Sequence, residues 1–267
     1  MSRPQWASDD IDIDRPNAAR VYDYLLGGSH NFAVDRALGD QVIAASPTTR
    51  EQAGLNRAFL GRAVRFCADR GIRQFLDLGS GIPTAGNVHE VARAVVPDAR
   101  VVYVDIDPIA IAHGRDILAD DPHSHMLGRD LRDADEVLAD IDDGKLLDLG
   151  EPVALLMVAV LHAVPDADDP AGIIGRYTNA VPTGSFLAIS HGTDEGNPVE
   201  ARRVIALSQR TNTPLSVRSK SEIETFFHGY ELAPPGVTWL PAWHRDTSKD
   251  TTPPEDSNNY AGVGCRR

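Results

Sequence analysis

Hydrophobic positions recur at helical spacing through the first 70 residues, before any strand pattern appears. After a polar, Asp-rich stretch of about a dozen residues that reads as a frayed terminus, Ala19, Tyr22, Leu25 and Leu26 follow Pro16 and stop at the C-cap pair Gly27-Gly28. A second helix is expected over Val34 to Ala44, ending before Pro47. A third covers Glu51 to Asp69, with Leu55, Phe59, Val64 and Phe66 on its apolar side and Gly71 as its stop.

The rhythm then changes to short apolar runs alternating with helical patterns. Strands are expected over Gln74 to Leu78, Arg100 to Val104, His125 to Leu127, Val153 to Val160 and Ser185 to Ser190. Helices fall between them over Asn87 to Val96, Pro108 to Leu118, Ala134 to Leu138 and Ala171 to Ala180. Val153 to Val160 shows no polar alternation, so both of its faces are covered. Such alternation implies parallel β-α-β units with right-handed crossovers. Toward the end, Ser219 and Glu222 have capping-box spacing and open a helix closed by Gly229. Runs follow at Tyr230 to Leu232, Gly236 to Leu240 and Tyr260 to Cys265, two of them strand-like and suited to an antiparallel edge, while Arg245 to Asn259 reads as a flexible loop. We therefore expect one α/β domain over residues 1–267, with a helical cap or lid over 1–70. The core, 71–267, is a mostly parallel seven-stranded sheet with helices on both faces and an antiparallel C-terminal edge.

Charge narrows the partners. Asp plus Glu number 39 against 26 Lys plus Arg, a net charge of −13, which disfavours nucleic acid and anionic lipid. Cys67 and Cys265 have neither metal-ligand nor redox spacing, and Cys67 falls on an apolar-periodic run where a thiol acts as a small hydrophobe. No stretch has the length of a membrane span, and the N-terminus has no apolar signal core, so a cytoplasmic location is expected. Asp120 to His125 has metal-binding residue types but reads as a solvated turn, and His89-Glu90 lacks a second histidine at helical spacing; no metal is expected.

The chemistry concentrates where strands end. Gly79-Ser80-Gly81 follows the first strand and precedes a helix, so a ligand can approach the backbone there and meet free amides. Asp105, at the tip of the second strand, is placed to accept both ribose hydroxyls of an adenosine cofactor. Asp130, after the third, could accept from an adenine amino group. A dinucleotide fingerprint wants a third glycine three residues after the second, but Thr84 stands there. Asp77, two residues before Gly79, suits the ammonium of a methionine end. The combination favours S-adenosylmethionine over a nicotinamide cofactor.

Phe75 to Gly81, Val104 to Pro108, Asp130 and Val160 to Asp166 resemble successive motifs of class I methyltransferases, which have a Rossmann-like fold. More narrowly, Pro16 to Gly28, Asn56-Arg57, Gly71 to Asp77, Asn87 to Glu90, Gly184 to Leu187, Ser190-His191 and Pro235-Gly236 are similar to an actinobacterial S-adenosyl methyltransferase family long catalogued as a domain of unknown function. The resemblance implies S-adenosylmethionine as donor, S-adenosylhomocysteine as product, and an unidentified, small-molecule acceptor. It extends the cofactor contacts to Ser80, Ile106, Leu131, Val158 and Ala159. His162 and His191, ending the fourth and fifth strands, are candidates for a base or for pocket wall, and Tyr22 joins them as a catalytic candidate. Arg20, Tyr22, Asp23 and Asn31 are candidates for a lid over donor and acceptor, against helix packing and caps. Asn56 and Arg57 are candidates for holding a carboxylate, against structural ion pairing. Two rivals stay open: a binding protein that keeps the cofactor but transfers nothing, and a nicotinamide oxidoreductase.

Overall fold

The computed structural model describes residues 12–82, 86–245 and 253–267; nearly all of the expected frayed terminus, Pro83-Thr84 and residues 246–252 of the expected Arg245 to Asn259 loop lie outside them. Three helices come first: α1 (Ala18–Leu25), α2 (Ala33–Ala45) and α3 (Thr49–Ala68). The alternating section gives β1 (Gln74–Leu78), α4 (Val88–Arg93), β2 (Arg100–Asp105), α5 (Pro108–Ile117), β3 (Ser124–Gly128), α6 (Ala134–Asp143), β4 (Val153–Val158), α7 (Pro170–Ala180) and β5 (Phe186–Gly192). Then follow α8 (Pro198–Ser208), α9 (Lys220–Thr225), β6 (Tyr230–Leu232), β7 (Thr238–Trp239) and β8 (Asn259–Arg266).

The strands form one sheet in the order β3-β2-β1-β4-β5-β8-β6, with β7 also on β8. β1 to β5 pair in parallel and β8 runs antiparallel to β5, β6 and β7. The sheet has eight strands where seven were expected, because all three late runs pair: β6 and β7 share β8 as partner. Successive side chains go to opposite faces. Phe75, Val101 and Leu156 join α3 and α4 on one face, while Leu76, Val102 and Leu155 join α6 and α7 on the other. Covering on both faces is why these strands lack polar alternation.

Two boundaries differ from the sequence pattern for reasons that bear on the site. β4 ends at Val158 rather than Val160, because Ala159 turns into the left-handed region (φ +55°) and a 3-10 turn over Leu161–Ala163 follows. α3 belongs to the layer covering the sheet: Phe59, Val64 and Cys67 are fully buried with Phe75, and Trp243, also fully buried, packs edge-on to Phe59 and Phe66. The helices that stand over the strand ends are α1 and α2, joined by α8. No described helix is long and apolar enough to cross a membrane.

Candidate functional site

In an open parallel sheet the crevice lies at the carboxyl ends of the strands where the order reverses, here between β1 and β4. A cavity of about 370 Å³ opens there. Its floor begins with the turn after β1. Gly79 has φ +76°, and a Cβ on it would stand 2.2 Å from Val160 Cγ2, so no other residue fits without displacing β4's exit. The N–H groups of Gly79 and Ser80 both donate to Val104 O (2.8 and 3.1 Å). Gly81 follows with open space beside its Cα and donates its N–H to Asp105 Oδ2 (2.7 Å). The Asp107 N–H donates to Asp105 Oδ1 (2.8 Å). Each oxygen of this buried carboxylate is thus fixed by one backbone amide, leaving a lone pair on each for a ligand. Burial raises the Asp105 pKa, against amide hydrogen bonds that lower it. Asp107 caps α5 through Ile109 N and Ala110 N, and Ile106 between the two acids is 57% exposed on the cavity wall.

Asp77 lines the same floor from inside β1. Burial pushes its carboxyl up to about 7, opposed by the Arg57 guanidinium of α3 and reinforced by Asp105. Asp130 is held differently: Arg132 donates from its backbone N (2.9 Å) and Nε (3.0 Å) to Oδ1, and from Nη2 to Oδ2 (2.6 Å). Burial would raise its pKa, but these bonds outweigh it and the carboxyl stays below its usual range. Leu131 lines the wall, its carbonyl fixed by the Tyr177 hydroxyl (2.8 Å).

A continuous chain of hydrogen bonds joins the β4 exit to the helices above. Ala159 N–H donates to Ser190 Oγ (2.9 Å), Ser190 to Asn56 Oδ1 (2.6 Å), Asn56 Nδ2 to Tyr22 Oη (3.0 Å), and Tyr22 to Ala53 O (3.2 Å). Asn56 therefore holds Ser190 and Tyr22 with the two ends of one amide. The chain supports the left-handed turn at Ala159, a conformation that costs on the order of 1–3 kcal/mol unless its surroundings enforce it. Tyr22 lines the cavity with its proton committed to Ala53, and burial raises its pKa, so it is a neutral hydroxyl there.

The two histidines part company. His162 lines the cavity; its Nδ1 is buried with no hydrogen-bond partner, next to Gly192. Burial, then the nearby Arg218, lower its pKa to about 4. His191 is fully buried and does not line the cavity. Its Nε2 accepts from Arg218 Nη1 (2.7 Å) and its Nδ1 therefore donates to Gly192 O (2.8 Å), so neither nitrogen is left for a substrate.

Of the expected lid residues, Tyr22, Asn56 and Arg57 line the cavity and Arg20, Asp23 and Asn31 do not. Arg20 forms a buried ion pair with Asp35 of α2 (3.2 Å). Asp23 Oδ2 accepts from His30 N (2.9 Å) and Asn31 Nδ2 (2.8 Å), and packs so closely on Gly28 that a Cβ there would stand 2.0 Å from Oδ1. These three residues hold the α1–α2 connection in shape. The sequence reading left out the wall formed by α8, Val217 and Asn259. A start signal was present in Asn197-Pro198 followed by Glu200, where the Asn197 side chain caps the helix.

The chain matches the S-adenosyl methyltransferase family over residues 4–267. It is similar to the structure of a DUF574 family protein from Streptomyces avermitilis MA-4680 (38% identity, TM-score 0.92, 96% of this chain and 99% of that one). It is also similar to a candidate methyltransferase of Thermobifida fusca YX (39% identity, TM-score 0.91, 99% and 100%). The N-methyltransferase NodS from Bradyrhizobium japonicum WM9, solved with S-adenosylhomocysteine, shares the fold at 12% identity (TM-score 0.51, 92% and 98%). Over 70 residues the chain is 37% identical to the ribosomal RNA small subunit methyltransferase H of Halorhodospira halophila, and this match spans 22% of that relative's length. With the family matched along nearly the whole chain and two solved relatives superposing from end to end, this protein belongs to the S-adenosyl methyltransferase family, whose methyl donor is S-adenosylmethionine.

Proposed function

We propose that the chain transfers a methyl group from S-adenosylmethionine to a small-molecule acceptor held between the strand ends and the α1, α2 and α8 helices. The observation that carries this reading is the Asp105 carboxylate, anchored through one amide per oxygen at the tip of β2 and facing the cavity. The residues suit the donor on three further counts. Gly81 leaves room for a ligand against its backbone, buried Asp77 offers an acceptor for an ammonium, and exposed Ile106 offers an apolar face for a purine.

In this reading Asp105 accepts the ribose hydroxyls, Asp77 with Arg57 holds the amino-acid end, and the Gly79-Ser80-Gly81 turn lies along it. Asp130 and Leu131 border the adenine, with one lone pair of Asp130 shared between Arg132 and the amino group. Val158 and Ala159 form the wall beside the sulfur. The donor supplies an electrophilic methyl group on a sulfonium, and transfer needs the acceptor atom in line with it. His162, neutral at pH 7 and a weak base with its pKa near 4, accepts a hydrogen bond from the acceptor and takes its proton as the new bond forms. Tyr22 and Asn56 keep the β4 exit in place. The net charge of −13 supports a small molecule over nucleic acid.

Calorimetric titration with S-adenosylmethionine, S-adenosylhomocysteine and NAD tests the reading. Binding of the first two without NAD, followed by turnover on an acceptor panel, is expected; NAD binding in their place would overturn it.

A further inference from the structure

The cavity has two chemically distinct halves. Among the described residues, every Asp, Glu, Lys or Arg that lines it is one of Arg57, Asp77, Asp105, Asp107, Arg129 and Asp130. Five of these sit at strand ends, and Arg57 acts on Asp77. The opposite wall, from α1, α2, α8 and the segment before α9, is aliphatic: Val21, Leu25, Val42, Ala201, Ile205 and Val217. Its polar lining is neutral, as at Ser208, Thr213 and Asn259.

Two charges beside this wall are used elsewhere. Glu200 of α8 accepts from Ser46 Oγ at the end of α2 (2.7 Å), and Arg15 Nη2 donates to Thr211 O (3.1 Å). Such bonds fasten the roof and leave its inner surface without a counter-ion. At the junction of the two halves stand the Tyr22 hydroxyl, with its proton committed to Ala53, and the partly exposed His162 ring.

We infer that the upper half of the cavity is the site of an uncharged acceptor with an apolar body and one hydroxyl or N–H at its reacting end, and this rests on the function proposed above. An aliphatic wall gives a neutral ring or chain its burial, and desolvates an ionised group with nothing to pair it. Selectivity against charged molecules is therefore built in by that missing partner. The partly exposed His162 ring, which lines the cavity, sets the polarity of the reacting end. In its neutral tautomer it accepts a hydrogen bond from an alcohol, phenol or amide N–H. A carboxylate has no proton to give it, and an ammonium would bring an unpaired charge.

The test uses the full-length protein at pH 7.5 and three matched probes: 2-naphthol, 2-naphthoate and 2-naphthylmethylammonium. Each is titrated calorimetrically with and without saturating S-adenosylhomocysteine. 2-Naphthol is expected to bind at least about tenfold more tightly than either ion. Ile205→Asp and the space-filling Ala201→Phe should each weaken it about tenfold or more while S-adenosylhomocysteine affinity stays within about twofold, which also certifies folding. Equal binding of the ions, no binding of 2-naphthol, or an unchanged 2-naphthol affinity in both variants would overturn the inference. Absence of S-adenosylhomocysteine binding with 2-naphthol selectivity intact would instead remove the proposed function and leave the chemistry of this half standing.

Discussion

Cofactor affinity is expected to rise with pH through neutrality, because Asp77 must be ionised to receive an ammonium. In the free protein burial holds its carboxyl at about 7, and Arg57 is too weak an influence to bring it down. Below that pH the group is neutral, and a bound ammonium has to draw the proton off. The affinity penalty is the factor 1 + 10^(pKa − pH), about 11 at pH 6 and about 1.1 at pH 8. Binding should therefore tighten about tenfold, or about 1.4 kcal/mol, across the window. The assay is calorimetric titration with S-adenosylhomocysteine, whose ammonium stays charged over this range, in buffers of different ionisation enthalpy so that proton release is counted directly. His162 and His191, lowered to about 4 and about 3, titrate outside the window. Asp77→Asn should flatten the profile, with its pH 8 affinity falling toward the wild-type value at pH 6. A wild-type affinity flat within about twofold, or a full slope retained in the Asn variant, would refute the reasoning.

The same shift predicts stability in the free protein. The folded-state pKa lies above the unfolded value of 3.8, so the native state binds the extra proton and stability falls as pH rises from about 4 through about 7. Urea midpoints across that range should show a decline that Asp77→Asn reduces. Asp105→Ala removes the acceptor of two amides and the acceptor proposed for the ribose, and S-adenosylhomocysteine binding should weaken on the order of 10- to 100-fold, read by calorimetry. An unchanged dissociation constant would dismiss the ribose assignment. Gly28→Ala puts a methyl 2.0 Å from Asp23 Oδ1 and should cost on the order of 1–3 kcal/mol in thermal unfolding; a neutral effect would mean that the Asp23 clasp is dispensable.

The parallel half of the fold was legible because its signals are local. β1, β2, β4 and β5 are short apolar runs buried on both faces, and the glycine turn and Asp105 lie within one β-α-β unit. What escaped the sequence depends on contacts between distant segments. Arg20 meets Asp35 across a helix connection, Asn56 reaches Ser190 from 134 positions away, and the α8 wall acquires its role only by standing opposite α2. Nothing in the residue types distinguishes an arginine that will clamp two helices from one that will touch a ligand. The lid assignment of Arg20, Asp23 and Asn31 therefore had no local signal against it.

His162 and His191 are the sharpest case: His162 lies in the turn after β4 and His191 near the end of β5, at the same sheet edge, and Arg218 tells them apart. That side chain is buried and donates to Leu161 O (3.0 Å), Val164 O (2.9 Å), His191 Nε2 (2.7 Å) and Asp166 Oδ1 (2.6 Å). Its carboxylate partner Asp166 is largely exposed, so the guanidinium is held chiefly by neutral acceptors. One cation thereby fixes the His191 tautomer, ties the turn after β4 and suppresses protonation of His162. Arg218→Met keeps most of the volume but leaves those carbonyls and His191 without their donor, at a cost of about 2–4 kcal/mol in urea unfolding. It should also move the His162 titration upward from about 4, since one of its two depressing influences is gone; burial, the larger, remains, so the value stays below that of a free imidazole. Ring carbon and nitrogen chemical shifts against pH would read both histidines separately. A His162 titration unmoved in a folded Arg218→Met protein would mean that burial alone neutralises it, and that Arg218 serves only the scaffold.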